Sequence, residues 1–372
     1  MSTQICFWGL LYGEKIKRTS KMNNTSSYAI QKFNKNLVKA LNLHYKVKVI
    51  APVRAKSAII TKERSESTEF EYVRYYGKLG RIKLILASFW KTLKGNEKII
   101  IADALNISMT FGMMKAAKLK KNKVILVITD IPDDVLEKKN TVYAKMFKNN
   151  LEKADGFVFL TEQANMDYNK EGKLFTIVEG ITDVDNSIPY PTNEKICVYA
   201  GGLAEKYYIK KMIAAFDAIA KGNEVLYIFG DGECKEYVEA MGKKSKHIKY
   251  MGTMENAEIL RYEASAELLI NPRPDIGDYT KYSFPSKLIE YMNSGTATLV
   301  NKLHGVPKEY YDKVYLFSGY SNDDYKESLR KILDIPKCER MKLGQEAKTF
   351  IQNRNGISVV AEKMSNLICK LI

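Results

Sequence analysis

The amino-acid sequence predicts an α/β protein made of two doubly wound domains. Short apolar runs alternate almost throughout with stretches in which apolar residues recur at helical spacing, which is typical of parallel sheets with crossover helices. The 372 residues are too many for one hydrophobic core. The alternation pauses once, at residues 186–195 (NSIPYPTNEK), where prolines and polar residues indicate a linker.

Each apolar run is a predicted strand. Before the linker, the strands fall at residues 4–10, 46–51, 70–75, 98–103, 124–130, 156–161 and 174–180. After it, they fall at 195–202, 224–232, 247–252 and 266–274, with helices near 209–220, 233–242 and 255–264. A final periodic stretch over 337–370 predicts one long surface helix. We expect an N-terminal domain (1–188), a C-terminal domain (189–350) and a C-terminal helix (351–372) as a candidate to pack back on the first domain.

The amino-acid composition limits the cellular compartment and the binding partners that we expect. The net charge of +16 predicts an anionic partner, such as nucleic acid, a membrane surface or a phosphorylated substrate. The 5 cysteines are scattered and form no C-x-x-C pair, which favours a reduced, cytoplasmic protein. No segment reaches the ~20 apolar residues of a membrane span.

The most informative segment is SFPSKLIEYMNSG (Ser283–Gly295), which follows a predicted strand and a proline-rich loop. Its apolar spacing predicts an amphipathic helix that Gly295 ends. A helix start at the carboxyl edge of a sheet offers free N–H groups to a phosphate. Ser286 and Lys287 would add a hydroxyl and a positive charge, and the Glu290 carboxylate could accept both hydroxyls of a ribose. A plain βαβ unit with a capped helix explains the same periodicity.

Glycines follow three further strands of this half. In YAGGLAEK, Gly201 and Gly202 allow close backbone approach, and Lys206 could neutralise a diphosphate. The turn FGDG contains Gly230, and YMG ends at Gly252. Taken singly, a solvated lysine and ordinary tight βα turns account for these features.

Taken in order, AGGLAEK, FGDGE, YMGTM and SFPSKLIEYMNSG resemble the C-terminal domain of the retaining glycosyltransferases of family 4, in the form common in bacterial capsule and O-antigen clusters. The resemblance implies the GT-B fold, in which two Rossmann-like domains face a cleft. It also implies a donor domain that binds a nucleotide sugar and an N-terminal domain that binds the acceptor.

The resemblance also assigns roles. Glu290 would bind the donor ribose, the backbone around Pro285–Lys287 the diphosphate, and Lys206 the departing phosphate, while Gly252 would lie against the base. The implied donor-binding residues are Gly201, Gly202, Lys206, Gly230, Gly252, Arg273, Tyr282, Ser283, Phe284, Pro285, Ser286, Lys287 and Glu290.

Two positions depart from the family pattern. Tyr282 stands eight residues before Glu290, where the family has a second glutamate that touches the transferred sugar. Gly202 stands where the family usually has a basic residue, and Arg273 is a candidate to supply the missing charge.

In the N-terminal half, a His-Asp pair of the family corresponds to Thr129 and Asp130. Asp130 is therefore the candidate to orient the acceptor, alongside Lys206 and Glu290 as catalytic residues. Asp103 and Asp133 are weaker alternatives, because carboxylates at strand ends often cap helices. The resemblance implies that the donor phosphate itself takes the acceptor proton, so neither a metal nor another cofactor is expected.

The implied function is transfer of a sugar from a nucleoside-diphosphate sugar, with UDP favoured, to a glycan or lipid-linked glycan acceptor, with retention, in bacterial surface polysaccharide synthesis. Three alternatives stay open: a non-hydrolysing nucleotide-sugar epimerase, an inactive GT-B partner subunit and a nucleic-acid binder. The last lacks any recognisable nucleic-acid module, so no nucleic acid is expected as a partner.

A basic amphipathic stretch spans residues 78–98. One helical face collects its apolar side chains, which are Ile82, Ile85, Leu86, Phe89, Trp90 and Leu93. Such a helix can lie on an anionic membrane, so the inner face of the membrane is a candidate partner. The alternative is an ordinary helix packed on the sheet with its lysines in water.

Overall fold

A computed structural model describes residues 4–19, 28–57, 59–65, 68–77, 79–184 and 187–372. Lys78 and Asn186, which open two of the predicted segments, lie outside the described residues. The chain divides into two compact units. The first comprises Met1–Ile181, Lys281–Phe284 and Ile357–Ile372, and the second Thr182–Thr280 and Pro285–Gly356.

The first unit is built on an eight-stranded sheet with the order β3-β4-β2-β1-β5-β6-β7-β8. Its strands are β1 (Gln4–Trp8), β2 (Lys46–Arg54), β3 (Lys62–Ser65), β4 (Thr68–Tyr75), β5 (Ile99–Asp103), β6 (Lys123–Ile128), β7 (Gly156–Phe159) and β8 (Leu174–Ile177). All neighbouring strands pair in parallel except β3 and β4, which are antiparallel.

In the described part of the first unit, the helices that lie between these strands are α1 (Glu14–Thr19), α2 (Tyr28–Leu41), α3 (Gly80–Lys94), α4 (Ile107–Lys120), α5 (Asp133–Leu136), α6 (Val142–Lys153) and α7 (Glu162–Tyr168). A further helix, given below, comes from Ile357–Ile372. Residues of β1 alternate between two cores: Ile5 and Phe7 pack into one, Cys6 and Trp8 into the other. Both faces of the sheet are therefore covered, which explains the continuous apolar runs of its strands.

The second unit is built on a six-stranded sheet in the order β11-β10-β9-β12-β13-β14, with every pair parallel. Its strands are β9 (Lys195–Ala200), β10 (Glu224–Phe229), β11 (Ile248–Gly252), β12 (Leu268–Asn271), β13 (Thr298–Val300) and β14 (Tyr315–Leu316). Its helices are α8 (Ile209–Ile219), α9 (Lys235–Lys244), α10 (Asn256–Ser265), α11 (Tyr279–Tyr282), α12 (Ser286–Ser294), α13 (Lys308–Tyr311), α14 (Asn322–Asp334) and α15 (Lys337–Asn355), with α11 running across a unit boundary and α14 and α15 following the last strand.

The predicted class of two doubly wound α/β domains is confirmed. The edge strand β3 (KERS) was not predicted, because charged residues suit a sheet edge but carry no apolar signal. The single helix expected over 337–370 is wrong. It is two helices, α15 and α16 (Ile357–Leu371), separated by Gly356, whose backbone is extended. Among the described helices, none is long and apolar enough to cross a membrane.

The described part of the segment predicted as a linker contains neither helix nor strand until Lys195, where β9 begins, and it lies in the second unit. There the Tyr190 backbone N–H donates to Ser265 Oγ at 2.6 Å. The Arg261 guanidinium lies 3.7 Å from the Tyr190 ring centroid. These contacts hold the segment against α10.

Helices α3 and α4 cross closely at Gly112. A Cβ added to Gly112 would lie 2.1 Å from the Ile85 carbonyl oxygen, so the crossing tolerates only a glycine. We expect Gly112→Ala to lower the free energy of unfolding by about 1–3 kcal/mol through overpacking. The urea midpoint measures this effect.

The matched control is Gly242→Ala in α9, where the added Cβ would lie 3.5 Å from its nearest neighbour, the Ile248 carbonyl oxygen. Alanine is the better helix former, so this change should add up to about 1 kcal/mol. Equal effects of the two substitutions would contradict a steric origin.

Candidate functional site

The second sheet reverses its winding direction between β9 and β12. The strand order places these two strands side by side, with β10 and β11 on one side and β13 and β14 on the other. Connections therefore leave β9 and β12 in opposite directions, and a crevice opens outside their carboxyl ends. Gly201 and Gly202 follow β9, and Arg273 follows β12. The sheet topology thus brings these predicted site residues to its switch point.

Backbone hydrogen bonds join the glycine loops that follow β9, β10 and β11. The Gly201 N–H donates to the Phe229 carbonyl at 3.0 Å, and the Gly230 N–H donates to the Gly252 carbonyl at 2.9 Å. Gly230 has φ +133°, and a Cβ there would lie 1.8 Å from the Gly201 carbonyl oxygen. Only glycine therefore permits this approach. The three loops form one continuous backbone rim.

Two cations meet at the same pair of tyrosine rings. Lys206 is exposed, and its Nζ lies 5.5 Å from the Tyr207 ring centroid and 5.3 Å from that of Tyr279. Arg273 Cζ lies 5.9 Å and 5.0 Å from the same two centroids. Cation–π attraction holds each charge beside the rings. The structure therefore brings Arg273 and Lys206 to the same two rings. That Arg273 supplies the charge missing at Gly202 stays a prediction.

Buried polar contacts fix the loop that carries Arg273. The Asn301 amide donates to the Pro272 carbonyl and to the Tyr325 hydroxyl, both at 2.8 Å. The Tyr325 hydroxyl donates to the Pro272 carbonyl at 3.0 Å. Arg273 also lines a small pocket together with Pro285, the residue before α12. This pocket connects the loop after β12 to the start of the helix.

Helix α12 begins at Ser286 without a capping side chain. Pro285 precedes it and accepts no first-turn hydrogen bond through a side chain, and the first turn contains no acidic residue. The helix ends at Gly295, which has φ +82°. The first N–H groups of a helix have no partners within the helix and carry partial positive charge. With Ser286 exposed beside it, this helix start is suited to an anion.

A lysine lies between two glutamates on the inner side of α12. Lys287 Nζ contacts Glu290 Oε1 and lies 3.4 Å from Oε1 of Glu263, which is fully buried in α10. Burial opposes the charge on Lys287, but the carboxylates of Glu290 and Glu263 outweigh burial and raise its pKa. Lys287 thus stays protonated.

The end of β9 is tied to the same helix. The buried Tyr291 hydroxyl accepts a hydrogen bond from the Ala200 N–H at 2.8 Å. Ala200 immediately precedes Gly201, and Tyr291 immediately follows Glu290. Burial raises the pKa of Tyr291, so its hydroxyl remains neutral. This contact positions the Glu290 turn beside the glycine rim.

Tyr282, Ser283 and Phe284 belong to the first unit, unlike the other predicted donor-binding residues. The Tyr282 hydroxyl donates to Asp167 Oδ2 at 3.1 Å, and its ring packs edge-on against Tyr168 with centroids 5.4 Å apart. Hydrogen bonds to Asp167, first from Gln163 and then from Tyr282, lower its pKa. Within the first unit, Tyr282 therefore anchors the segment on α7.

The first sheet has its own switch point, between β1 and β5. Asp103 ends β5 there and is buried, and its carboxylate accepts from the Leu105 N–H and the Asn106 amide, both at 2.9 Å. A Cβ on Gly9, after β1, would lie 3.1 Å from Asp103 Cβ. Burial raises the pKa of Asp103 to about 6, although the hydrogen bond from Leu105 opposes the shift.

Asp130 lies after β6, one strand further from this switch point. It is exposed, and its Oδ1 accepts from the N–H of the next residue, Ile131, at 2.9 Å. Across the described residues, no three His, Cys, Asp or Glu side chains converge closely enough to hold a metal ion.

Sequence reasoning missed Tyr207, Tyr279, Glu263 and Tyr291 as parts of the site. The tyrosines carry no motif of their own, and Glu263 is far from Lys287 along the chain. A signal for Asp103 was present, because the doubly wound order places the strand that it ends next to β1.

Residues 181–350 match the family model described as "Glycosyl transferases group 1". This range carries the glycine rim, Lys206, Arg273 and α12. No curated protein sequence matches the chain.

Solved structures match over nearly the whole length. Sucrose-phosphate synthase from Thermosynechococcus elongatus is 14% identical with a TM-score of 0.76, covering 99% of both chains. Anabaena Alr3699/HepE in complex with UDP is 12% identical with a TM-score of 0.69, covering 99% of this chain and 100% of the other. An E. coli structure described as trehalose-6-phosphate bound with UDP-2-fluoro glucose is 9% identical with a TM-score of 0.71, covering 98% and 99%. These similarities confirm the GT-B fold.

The first prediction from this site concerns Lys287. We expect Lys287→Met to lower the free energy of unfolding by about 2 kcal/mol or more, because it leaves two neighbouring carboxylates without their shared cation. Adding Glu263→Gln should restore part of the loss, so the two effects will not be additive in urea unfolding. As a control, Lys326→Met removes an ion pair to the 90% exposed Asp323 and should cost about 0.5 kcal/mol or less. Additive effects at residues 263 and 287 would refute the coupling.

The second prediction concerns Asp103. Burial raises its pKa from the ordinary value of about 3.8 to about 6, so the folded protein binds more protons than the unfolded chain between these values. The contribution of Asp103 to stability is therefore full below about pH 4 and is lost as the pH rises through 6, by up to about 3 kcal/mol. Wild type should lose stability relative to Asp103→Asn over this range in urea unfolding. A difference that stays constant from pH 4 to pH 7 would rule this out.

Proposed function

We propose that the chain is a glycosyltransferase that moves a sugar from a UDP-sugar to a glycan or lipid-linked glycan acceptor, with retention, in surface polysaccharide synthesis. The observation that carries this proposal is the convergence of Lys206, Arg273 and the uncapped start of α12 at one switch point. All three lie in the range that matches the glycosyltransferase group 1 model.

The diphosphate of the donor would bind at this convergence. Two cations and a positively polarised helix start are complementary to a group with two negative charges. The contacts with Tyr207 and Tyr279 hold Lys206 and Arg273 in place before the ligand arrives. Preorganised charges stabilise a leaving group at little reorganisation cost in the reaction. The site therefore favours departure of a nucleoside diphosphate.

Glu290 would accept hydrogen bonds from the ribose hydroxyls. A carboxylate has two acceptor oxygens for these hydroxyls, and the ammonium of Lys287 is its ion-pair partner. The hydrogen bond between Tyr291 and Ala200 sets the depth of Glu290 relative to the glycine rim. The base would then lie along the loops of Gly230 and Gly252, where no Cβ narrows the space.

The transfer itself needs little from the protein beyond charge and position. The bond between the anomeric carbon and the diphosphate oxygen breaks, and a bond to the acceptor oxygen forms on the same face. The acceptor proton passes to the departing phosphate, whose negative charge Lys206 and Arg273 stabilise. We expect no divalent metal to be required. Asp130 remains our candidate to orient the acceptor.

UDP is the proposed nucleotide because matched structures contain it. The Anabaena protein was solved with UDP and with UDP and glucose, and the E. coli protein with UDP-2-fluoro glucose. For this chain, these ligands are guides to the first compounds to test.

Nucleotide binding tests the donor site. UDP at about 100 times its Kd should raise the melting temperature of the protein by about 5–10 °C, with or without EDTA. Glu290→Ala should abolish most of the shift, because it removes the ribose acceptor. The matched control is Glu327→Ala, an exposed glutamate on α14, which should leave the shift unchanged. If no nucleoside diphosphate stabilises the protein, the donor site is refuted.

Turnover of the UDP-sugar tests the chemistry. Lys206→Ala should lower the transfer rate by about 10²–10³-fold, the usual loss for a group that stabilises developing charge. Lys221 precedes β10 and lies at the amino-terminal end of this strand, away from the site. Lys221→Ala should therefore keep the wild-type rate. UDP binding without transfer to any acceptor would instead favour an inactive partner subunit. Conversion of the UDP-sugar to its epimer without acceptor would favour an epimerase.

A further inference from the structure

Helix α3 packs on its own unit through one leucine and otherwise small or polar residues. Its buried residues are Gly80, Leu84, Ser88 and Thr92. Ser88 Oγ donates to the Leu84 carbonyl at 2.5 Å, and Thr92 Oγ1 donates to the Ser88 carbonyl at 2.9 Å. The polar side chains are thus satisfied within the helix, and the packing face does not use its largest apolar residues.

Those apolar residues face outward instead. Ile82 is 55% exposed, Leu86 54% and Trp90 57%, and Leu79 before the helix is 61% exposed. At about 100° per residue, Ile82 and Leu86 lie about 160° around the helix from Leu84. We call Leu79, Ile82, Leu86 and Trp90 the outer stripe. The apolar face seen in the sequence therefore does not pack on the sheet.

The neighbouring helix α4 covers only one flank of α3. It approaches at Ile85, opposite Gly112, and leaves Ile85, Phe89 and Leu93 half-buried. Leu119 on α4 is itself 69% exposed. Exposed apolar side chains scattered singly are ordinary, but a row along one helix marks an interaction site.

The charges beside the outer stripe are positive. Lys83 and Lys94 lie within about 40° of Trp90 around the helix. Neither forms an ion pair with a described residue, whereas Lys91, on the packing side, contacts Glu71. On α4 and α6 the lysines crowd one another: after burial, Lys115 and Lys118 are the main causes that lower the pKa of Lys153.

We propose that the outer stripe docks the protein on an anionic lipid bilayer. Trp90 and the aliphatic side chains would enter the boundary between headgroups and acyl chains, while Lys83 and Lys94 would extend to the phosphates. The charge argues against a second copy of the chain, because a symmetric contact would bring these lysines together. This inference does not depend on the proposed transfer reaction.

The two tryptophans of the chain allow a direct measurement. Trp90 is exposed, whereas Trp8 is 1% exposed and serves as a constant background. We expect a blue shift of the emission and cosedimentation when the protein meets vesicles of phosphatidylcholine with roughly one third phosphatidylglycerol. Pure phosphatidylcholine should bind much more weakly, and high salt should weaken the anionic vesicles' binding.

Leu86→Glu should reduce the affinity for anionic vesicles at least about tenfold, because it places a negative charge in the stripe. The matched control is Leu43→Glu, where the leucine is 55% exposed after α2 and outside the stripe. Leu43→Glu carries the same charge change. Once the effect of the added negative charge is taken into account, its affinity for anionic vesicles should lie within about twofold of wild type. Replacing Lys83 or Lys94 by alanine should cost about fivefold each.

Equal losses for the two glutamate variants, or no binding to anionic vesicles, would overturn the proposal. So would a wild-type dimer in sedimentation velocity that Leu86→Glu dissociates, since the stripe would then belong to a second copy. An unchanged urea midpoint for Leu86→Glu confirms that the variant is folded, which separates lost docking from lost structure.

Discussion

The reversal of winding between β9 and β12 is the constraint on which the second unit depends. Because helices leave these two strands on opposite sides, no connection covers their carboxyl ends. Four features border the space that results: the backbone rim of the glycine loops, the turn that contains Lys206, the loop that contains Arg273, and the start of α12. The glycines let the backbones approach there, and the rings of Tyr207 and Tyr279 lie beside the cations of Lys206 and Arg273.

The electrostatics of α12 combine two opposite requirements. In the proposed donor site, the start of the helix would attract an anion, while Glu290, one turn further in, would itself be an anion. Lys287 connects the two, because its side chain turns inward between Glu290 and the buried Glu263. Its ammonium therefore forms an ion pair with the Glu290 carboxylate instead of extending into solvent. From its position in the motif alone, Lys287 would be interpreted as a phosphate ligand.

Much of the fold could be predicted from the sequence, because apolar runs and helical spacing mark buried parallel strands and their crossovers. The break at Gly356 and the charged strand β3 could not, since one depends on a single backbone conformation and the other on pairing with β4. The periodicity also identified the residues that form the apolar face of α3, but not whether this face packs inside the unit or is exposed to solvent. That direction depends on which face packs against the rest of the unit, and here the buried face carries Gly80, Leu84, Ser88 and Thr92.

The candidate site was predictable where a motif sets the spacing, as for Lys206 and Glu290, and less so where side chains meet from distant segments. Tyr282 occupies a motif position, yet its contacts with Asp167 and Tyr168 place it in the first unit. Spacing along the chain carries no information about such a partner. The same holds for Asp103, whose burial depends on the loop after β1.

Helix α16 affects the order in which the two units can complete their folding. Val360, Met364 and Leu367 lie in the same hydrophobic core as Leu37 and Leu41 of α2. That core belongs to the first unit, but α16 is synthesised only after the whole second unit. During translation, the part of this core that α16 supplies therefore stays missing until the second unit has been synthesised. The unit that begins the chain is the last to be completed.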